Sequence, residues 1–141
     1  MKLEKSKIHF AIGKNTSKNI YKIIPVSKDH LPKELEAKFS EQVKSSIFTG
    51  EAGQSLVDES DRIIYLGLGD SAKISVRSVA QLFFSFGEKL RKWDGVGLEI
   101  KLPRFLTKNL SPVLLAYQIA NSIDLGAFPL NVLTKDFKEK N

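Results

Sequence analysis

The sequence predicts a three-layer α/β fold in which a mixed sheet carries helices on both faces. Residues 62–69 form an apolar run without alternation, which is typical of a strand that is covered on both sides. In the second half of the chain, strand-like and helix-like segments alternate, which implies a crossover connection within one sheet. The chain has 141 residues, of which 42% are hydrophobic, and this is enough for one domain with one core.

Two apolar runs at the start of the chain predict the first strands. Ile8, Phe10 and Ile12 recur at every second position, the period of a half-buried strand, and residues 13–17 have the composition of a turn. Residues 19–26 form the second run. We expect the two runs to pair as a hairpin with lysines along its exposed side.

A helix is predicted at residues 31–43. Leu35, Phe39 and Val43 recur there at a spacing of four, after a proline that suits a first helical turn. Between this helix and the buried run we expect a glycine-containing loop, a brief strand and a polar turn, at residues 48–53, 54–57 and 58–61.

A long amphipathic helix is predicted after the buried run. Ser71 and Ser75 both have the chemistry of a capping residue, and either can begin it. The aromatic residues of this helix are expected in the core and at its margin: Phe83, Phe84 and Phe86. A further strand follows at residues 96–102 and is closed by Pro103.

The last predicted helix spans residues 113–125 and has well-marked ends. Ser111 is a capping residue, and Pro112 suits the first helical position. Gly126 stands just past the last apolar turn, where a glycine commonly ends a helix. The sequence therefore predicts a helix that stops at Gly126.

The domain is expected to occupy residues 1–130, and the charged residues 131–141 to begin a linker. No apolar run is long enough to span a membrane, and the start of the chain does not resemble a signal peptide, so we expect a cytoplasmic protein. The chain contains no cysteine, which excludes disulfides, thiolate metal sites and cysteine nucleophiles.

The net charge of +6 is concentrated in the first quarter of the chain. Residues 1–33 hold eight lysines against two acidic residues, whereas residues 34–141 hold 14 basic and 14 acidic residues. Lysines spaced among apolar residues are typical of the exposed face and edge of a sheet. They can also contact phosphates, so DNA stays a possible partner.

One motif has phosphate-binding character. Gly67, Gly69 and Ala72 fit the pattern G-x-G-x-x-G/A between a strand and a helix, where backbone amides can approach a pyrophosphate. That pattern also requires an acidic residue at the end of the next strand, but Glu99 lies about 27 residues beyond Ala72 and within a strand. A tight turn without a ligand is the simpler interpretation.

No hydrolytic site is evident in the sequence. The two histidines, His9 and His30, stand in no metal-binding spacing. Asp58, Glu59 and Asp61 form the densest acidic group, but a turn requires aspartates at that place, and two metal ions require more carboxylates. We therefore assign no catalytic, cofactor-binding or metal-binding residue to this chain.

Several segments, read in order, resemble the N-terminal domain of leucyl (cytosol) aminopeptidases. They are a loop with phenylalanine and glycine at residues 48–53, a strand that ends in Gly-Leu-Gly at Gly69, and a helix with Arg77 near its start. Residues 119–128 resemble the closing helix of that domain, although Ala127 and Phe128 stand where the family has tyrosine after the glycine.

This resemblance implies a fold similar to a macro domain and a domain without catalysis of its own. In that family the N-terminal domain is joined to a peptidase domain that binds two divalent metal ions, zinc or manganese. It helps to pack a hexamer and shapes access to the peptidase sites, and some bacterial members bind DNA. The expected partners are thus the catalytic domain of the same polypeptide and further copies in a homo-oligomer. The alternative is a stand-alone module that binds nucleic acid or an ADP-ribose-like ligand.

Overall fold

The computed structural model describes residues 2–4, 7–12, 20–90, 96–108 and 110–127. Within this part the strands form one six-stranded sheet in the order β1-β2-β6-β3-β5-β4. The strands are β1 (Lys2–Glu4), β2 (Lys7–Ile12), β3 (Ile20–Val26), β4 (Ser55–Asp58), β5 (Ile63–Gly67) and β6 (Val96–Lys101). The central strands β6, β3 and β5 run parallel, while β2 and β4 pair antiparallel with their neighbours. The prediction of a mixed sheet is confirmed.

Helices cover both faces of this sheet. They are α1 (Lys33–Lys38), α2 (Ser40–Lys44), α3 (Val76–Lys89), α4 (Arg104–Thr107) and α5 (Pro112–Ala127), with a 3-10 turn at Ser71–Lys73. Side chains of α3, α4 and α5 pack with one face of the sheet into the main core, and side chains of α1 and α2 pack on the other face. The described part therefore has three layers, as the fold class predicts.

Strand β5 is buried on both faces. Ile64 and Leu66 point into the main core, and Tyr65 points into the smaller core on the opposite face. All three side chains are at most 3% exposed. The apolar run without alternation is thus correctly interpreted, and β5 lies one strand in from the β4 edge.

Helix α3 begins at a capping box. The Ser75 hydroxyl accepts a hydrogen bond from the Ser78 amide at 3.1 Å, and the Ser78 hydroxyl accepts one from the Ser75 amide at 2.9 Å. Ser71 begins the preceding 3-10 turn instead. Phe83 and Phe86 are buried with their rings edge to face, while Phe84 is 40% exposed. The structure thus selects Ser75 and places the phenylalanines in the core and at its margin.

The single helix predicted at residues 31–43 is wrong. The chain forms α1 and α2 with a break at Phe39, whose φ and ψ are −117° and 43°. The apolar residues of the segment still share one core, because Leu35 is buried there and Phe39 and Val43 pack against it.

The hairpin predicted from the first two apolar runs is also wrong. Strand β6 lies between β2 and β3 and pairs with both, antiparallel to β2 and parallel to β3. Leu98 and Ile100 of β6 are fully buried, which favours an interior place for this strand. The turn predicted at residues 13–17 lies outside the described residues. The short elements β1 and α4 were not predicted.

Gly126 lies inside the last helix, which corrects the predicted end. A Cβ on Gly126 would overlap the carbonyl oxygen of Phe84 and lie 3.1 Å from the Cα of Gly87. Gly126 is needed for close contact between α5 and α3. At the other end the prediction is confirmed, since the Leu114 amide donates to the Ser111 hydroxyl at 3.3 Å. The predicted linker at residues 131–141 lies outside the described residues.

Candidate functional site

The Gly-Leu-Gly turn at the end of β5 is covered by a loop of the same chain. A Cβ on Gly67 would overlap the carbonyl oxygen of Glu51 and lie 2.8 Å from the carbonyl carbon of Gly50. Gly69 has a φ of +85°, and its Cβ would be 3.5 Å from the Cβ of Ala52. The two glycines therefore allow the loop at residues 50–53 to cross directly over the strand end.

The backbone amides of this turn donate to groups within the chain. The Gly67 amide donates to the Gln54 carbonyl at 2.7 Å, and the Gly69 amide donates to the Gly50 carbonyl at 2.9 Å. The Leu68 amide donates to the neighbouring strand, at 2.8 Å from the Val26 carbonyl. Anion-binding turns present free amides to a phosphate. The arrangement of these described residues therefore does not favour a pyrophosphate at this turn.

Gln54 holds the covering loop in shape. Its side-chain oxygen accepts hydrogen bonds from the amides of Thr49, Gly50 and Glu51, at 2.9, 3.1 and 3.2 Å. The Thr49 hydroxyl donates to the same oxygen at 3.2 Å. A turn of backbone that would otherwise leave several amides unpaired is satisfied by this one side chain. No local pattern in the sequence indicates this arrangement.

Asp29 connects the loop after β3 to the 3-10 turn. One carboxylate oxygen accepts a hydrogen bond from the Ser71 amide at 3.0 Å, and the other accepts one from the Ser71 hydroxyl at 2.5 Å. These bonds, the one from the hydroxyl first, lower the pKa of Asp29 to about 2. The two residues are 42 positions apart, so sequence reasoning did not connect them.

We expect Asp29→Ala to reduce the free energy of unfolding at neutral pH and to have a smaller effect in acid. The unfolded chain binds the Asp29 proton more tightly than the folded chain, because the folded pKa is about 2 and the ordinary value is 3.8. The stabilisation is therefore complete above pH 4 and is lost as the pH falls towards 2. Urea titrations of both proteins from pH 7 to pH 2.5 test this, and a difference that is constant over the whole range would contradict it.

Lys38 of α1 joins the helix to the turn between β4 and β5. Its ammonium group lies 2.6 Å from the carboxylate of Asp58 and 2.8 Å from that of Asp61, and it donates to the Ser60 hydroxyl at 2.8 Å. The bond to Asp58, followed by the bond to Asp61, raises the pKa of Lys38, and the same contact with Lys38 lowers the pKa of Asp58. Because Asp58 is 4% exposed, its charge depends on this partner.

The acidic group singled out in the sequence thus has structural partners. Asp58 and Asp61 bind Lys38, and Glu59 accepts a hydrogen bond from the Tyr21 hydroxyl at 2.7 Å. Throughout the described ranges, no three His, Asp or Glu residues are grouped so as to hold a metal ion.

The other polar residues singled out in the sequence are scattered. His30 is 78% exposed and lies 3.6 Å from Asp29, and the side chain of His9 is outside the described part. Glu99 lies within β6, opposite Lys22 of β3, and β3 separates it from the strand that carries the glycine turn. His30 is thus connected to the glycine turn only through Asp29, which binds Ser71, and Glu99 is not placed to bind a ribose there.

A cleft of about 650 Å³ opens beside α1, on the face of the sheet that α1 and α2 cover. Its lining includes apolar residues of the strands, such as Ile24 and Ile63. Its polar lining includes His30 and the group in which Lys38 binds the carboxylates of Asp58 and Asp61. In the described part, this cleft is a concave and largely apolar surface. Its described side chains are not arranged for catalysis.

Helix α5 exposes a group of large apolar side chains. Val113 is 65% exposed, Leu114 is 48% exposed, and Tyr117 and Leu125 are each 59% exposed. Exposed apolar residues are common on protein surfaces when they are single, but a group of them on one helix is typical of a binding surface. Of the features that the structure describes, this surface has the strongest character of an interaction site.

Comparison with known proteins decides the family. The sequence profile of the cytosol aminopeptidase family, N-terminal domain, matches residues 22–136. The chain belongs to the cytosol aminopeptidase family. A probable cytosol aminopeptidase of Clostridium tetani (strain Massachusetts / E88) is 30% identical over 105 residues, which make up 72% of this chain and 21% of that protein. The chain thus spans about a fifth of the length of this relative.

The resemblance to leucyl aminopeptidases that the sequence indicated is confirmed. The match to the cytosol aminopeptidase N-terminal domain extends over the described fold from β3 to α5. It includes the loop at residues 48–53 and the turn at Gly67 and Gly69, whose patterns carried the resemblance. In the structure these two segments pack on one another, which gives the glycines a structural reason. None of the described helices is both long and apolar enough to cross a bilayer.

Proposed function

We propose that this chain is the non-catalytic N-terminal domain of a metal-dependent aminopeptidase of the cytoplasm, and that it serves the assembly of the enzyme and access to its peptidase sites. The observation that carries this proposal is the family match, which covers the fold from β3 to α5. The relative from Clostridium tetani, named as a probable cytosol aminopeptidase, is about five times as long as the segment it shares with this chain.

On this proposal, the chemistry belongs to the part of the polypeptide that follows the domain. Two divalent metal ions, zinc or manganese, would be bound there, and the complete protein would assemble as a hexamer. The polar groups of this domain support a structural role, because Asp29, Lys38 and Asp58 hold its loops and helices together. The exposed apolar side chains of α5 support contact with another part of the enzyme.

The first test is an assay of the chain for hydrolysis of leucine p-nitroanilide with added manganese or zinc. We expect no release of nitroaniline above the blank with metal alone, while the Clostridium tetani relative turns the substrate over under the same conditions. Hydrolysis that rises in proportion to the concentration of this chain would contradict a non-catalytic domain.

The same proposal predicts the effect of removing this domain from a complete enzyme. A version of the Clostridium tetani relative without its matched segment is expected to sediment as smaller assemblies. Its KM is expected to differ from that of the complete enzyme more for long peptides than for dipeptides. Sedimentation velocity and steady-state kinetics measure the two effects. Unchanged assembly together with unchanged KM values would show that the domain serves neither purpose.

A further inference from the structure

Helix α5 is nearly uncharged, unlike the other long helix of the domain. Its 16 residues include one charged residue, Asp124, and no lysine or arginine. Helix α3 carries Arg77, Glu88 and Lys89 among 14 residues. A helix that covers a sheet and faces water on its other side normally has charged residues on the outer side. The composition of α5 is therefore that of a helix with partners on both sides.

The inner side of α5 is fully occupied. Leu115, Ile119 and Ile123 are each 0% exposed and belong to the main core. The large apolar residues of the outer side are therefore additional to those that the fold itself needs. Each of these residues stays 48–65% exposed, so this part of its apolar surface gains nothing from the folding of the domain.

A groove of mixed character adjoins this outer surface. It has a volume of about 540 Å³, lies between the two helices, and is lined by Val76, Ala80 and Phe84 together with the polar residues Arg77, Gln81, Gln118 and Ser122. Phe84 is 40% exposed at this groove. We define the α5 face as Val113, Leu114, Tyr117, Leu125 and Phe84.

The α5 face has the composition of the centre of a protein interface. Such centres contain aromatic and aliphatic side chains and few charges, and tyrosine is among the residues that contribute most to binding. The polar side chains Asn121 and Asp124 are exposed on the same side of the helix, as at the rim of an interface. A nucleic acid would require several cations on this surface, whereas α5 has none and the adjoining groove has one, Arg77.

We infer that the α5 face docks against the peptidase part of the same polypeptide. This inference rests on the proposed function, in which a larger peptidase part follows the domain. In the Clostridium tetani relative the shared segment makes up 21% of the protein, so about four fifths of that protein lies outside it. Helix α5 is the last described element and lies nearest in sequence to the part that follows.

Covalent connection favours this partner over a second copy of the domain. A connected part is present at an effective concentration in the millimolar range, so even a modest apolar contact is occupied. A second copy must find the same surface at the much lower concentration of the free protein. The peptidase part therefore occupies the α5 face before another copy does.

The test uses the portion of the Clostridium tetani relative outside the matched segment, produced as a separate chain. Binding of the 141-residue protein to this portion is measured by calorimetry and sedimentation velocity. Leu114→Ser and Tyr117→Ser are expected to raise Kd at least about tenfold each, because each removes an apolar side chain from the centre of the contact. Their melting temperatures should lie within about 5 °C of the unmodified protein, since Leu114 is 48% and Tyr117 59% exposed.

Ile47→Ser is the matched control. Ile47 is 69% exposed and follows α2, on the opposite face of the sheet from α5, so this variant should bind like the unmodified protein. If all three variants bound the peptidase portion with the Kd of the unmodified protein, the docking inference would be overturned and the proposed function would stand. Self-association through Leu114 and Tyr117 without binding to the peptidase portion would assign the face to a second copy. Absence of any complex would also overturn the docking inference, whereas the proposed function is tested separately by removing the domain from the complete enzyme.

Discussion

Gly126→Ala is expected to lower the free energy of unfolding by about 2–3 kcal/mol, because the added methyl group overlaps backbone that cannot move aside. The Cβ would overlap the carbonyl oxygen of Phe84 and lie 3.1 Å from the amide nitrogen of Glu88. These atoms belong to α3, so the two helices must separate. Separation weakens the packing of α5 on α3 and displaces the α5 face. Urea unfolding followed by circular dichroism measures the loss.

The sign of this effect is the decisive part of the test. Helix propensity alone predicts that alanine in place of a helical glycine stabilises by about 1 kcal/mol. The control is Asn121→Ala, at an exposed position of the same helix, where propensity acts without a close neighbour and a gain of a few tenths of a kcal/mol is expected. If Gly126→Ala stabilised the protein as propensity predicts, α5 and α3 could not be in this close contact.

Phe83→Ala is expected to cost about 3–5 kcal/mol, the largest effect of a single substitution that we predict. Phe83 is 0% exposed, and its ring lies edge to face with that of Phe86, with 6.4 Å between the centroids. The substitution leaves a cavity between α3 and the sheet. A small domain is stable by only about 5–15 kcal/mol, so the variant should unfold at much lower urea.

Phe84→Ala is the matched control for this prediction. It removes the same side chain from the next position of the same helix, but Phe84 is 40% exposed, so a loss of about 1 kcal/mol or less is expected. Phe83→Leu keeps most of the buried volume and provides a measurable variant if Phe83→Ala does not fold. Equal losses for Phe83→Ala and Phe84→Ala would contradict the orientation of α3 described above.

The two phenylalanines also separate stability from function. Phe83 supports the core, whereas Phe84 belongs to the α5 face. Phe84→Ala should therefore leave the domain folded and weaken its binding to the peptidase portion. Leu114 and Tyr117 have the same property, since they too are exposed. The fold and the proposed docking surface can thus be tested with different residues of the same helices.

Short-range patterns predicted the elements that depend on neighbours within a few residues. The apolar run that became β5 and the stripe that became α3 are visible without any structure. Ser75 and Ser111 cap their helices as capping chemistry predicts, because the bonds reach only three residues along the chain. The break at Phe39 was not visible, because the apolar spacing of Leu35, Phe39 and Val43 continues through it.

Most of the candidate site could not be predicted from short-range patterns in the sequence. The glycine pattern at Gly67 and Gly69 is shared by ligand-binding turns and by turns that another loop covers. Only the structure shows that the loop carrying Gly50 occupies this place. The α5 face could have been found, because the near absence of charge from residues 112–127 is a property of composition. Which residues of α5 are exposed, however, depends on which side of the helix packs into the core.

By itself the sequence determined the α/β class, the buried strand β5, the capped start of α5, and the resemblance to the cytosol aminopeptidases. Only the tertiary structure decided that β6 lies between β2 and β3, that Gly126 belongs inside α5, and that Asp29 binds Ser71. The physical reason is the range of the interactions. Periodicity and capping act between residues a few positions apart, whereas strand order and helix contact are set by packing between residues tens of positions apart.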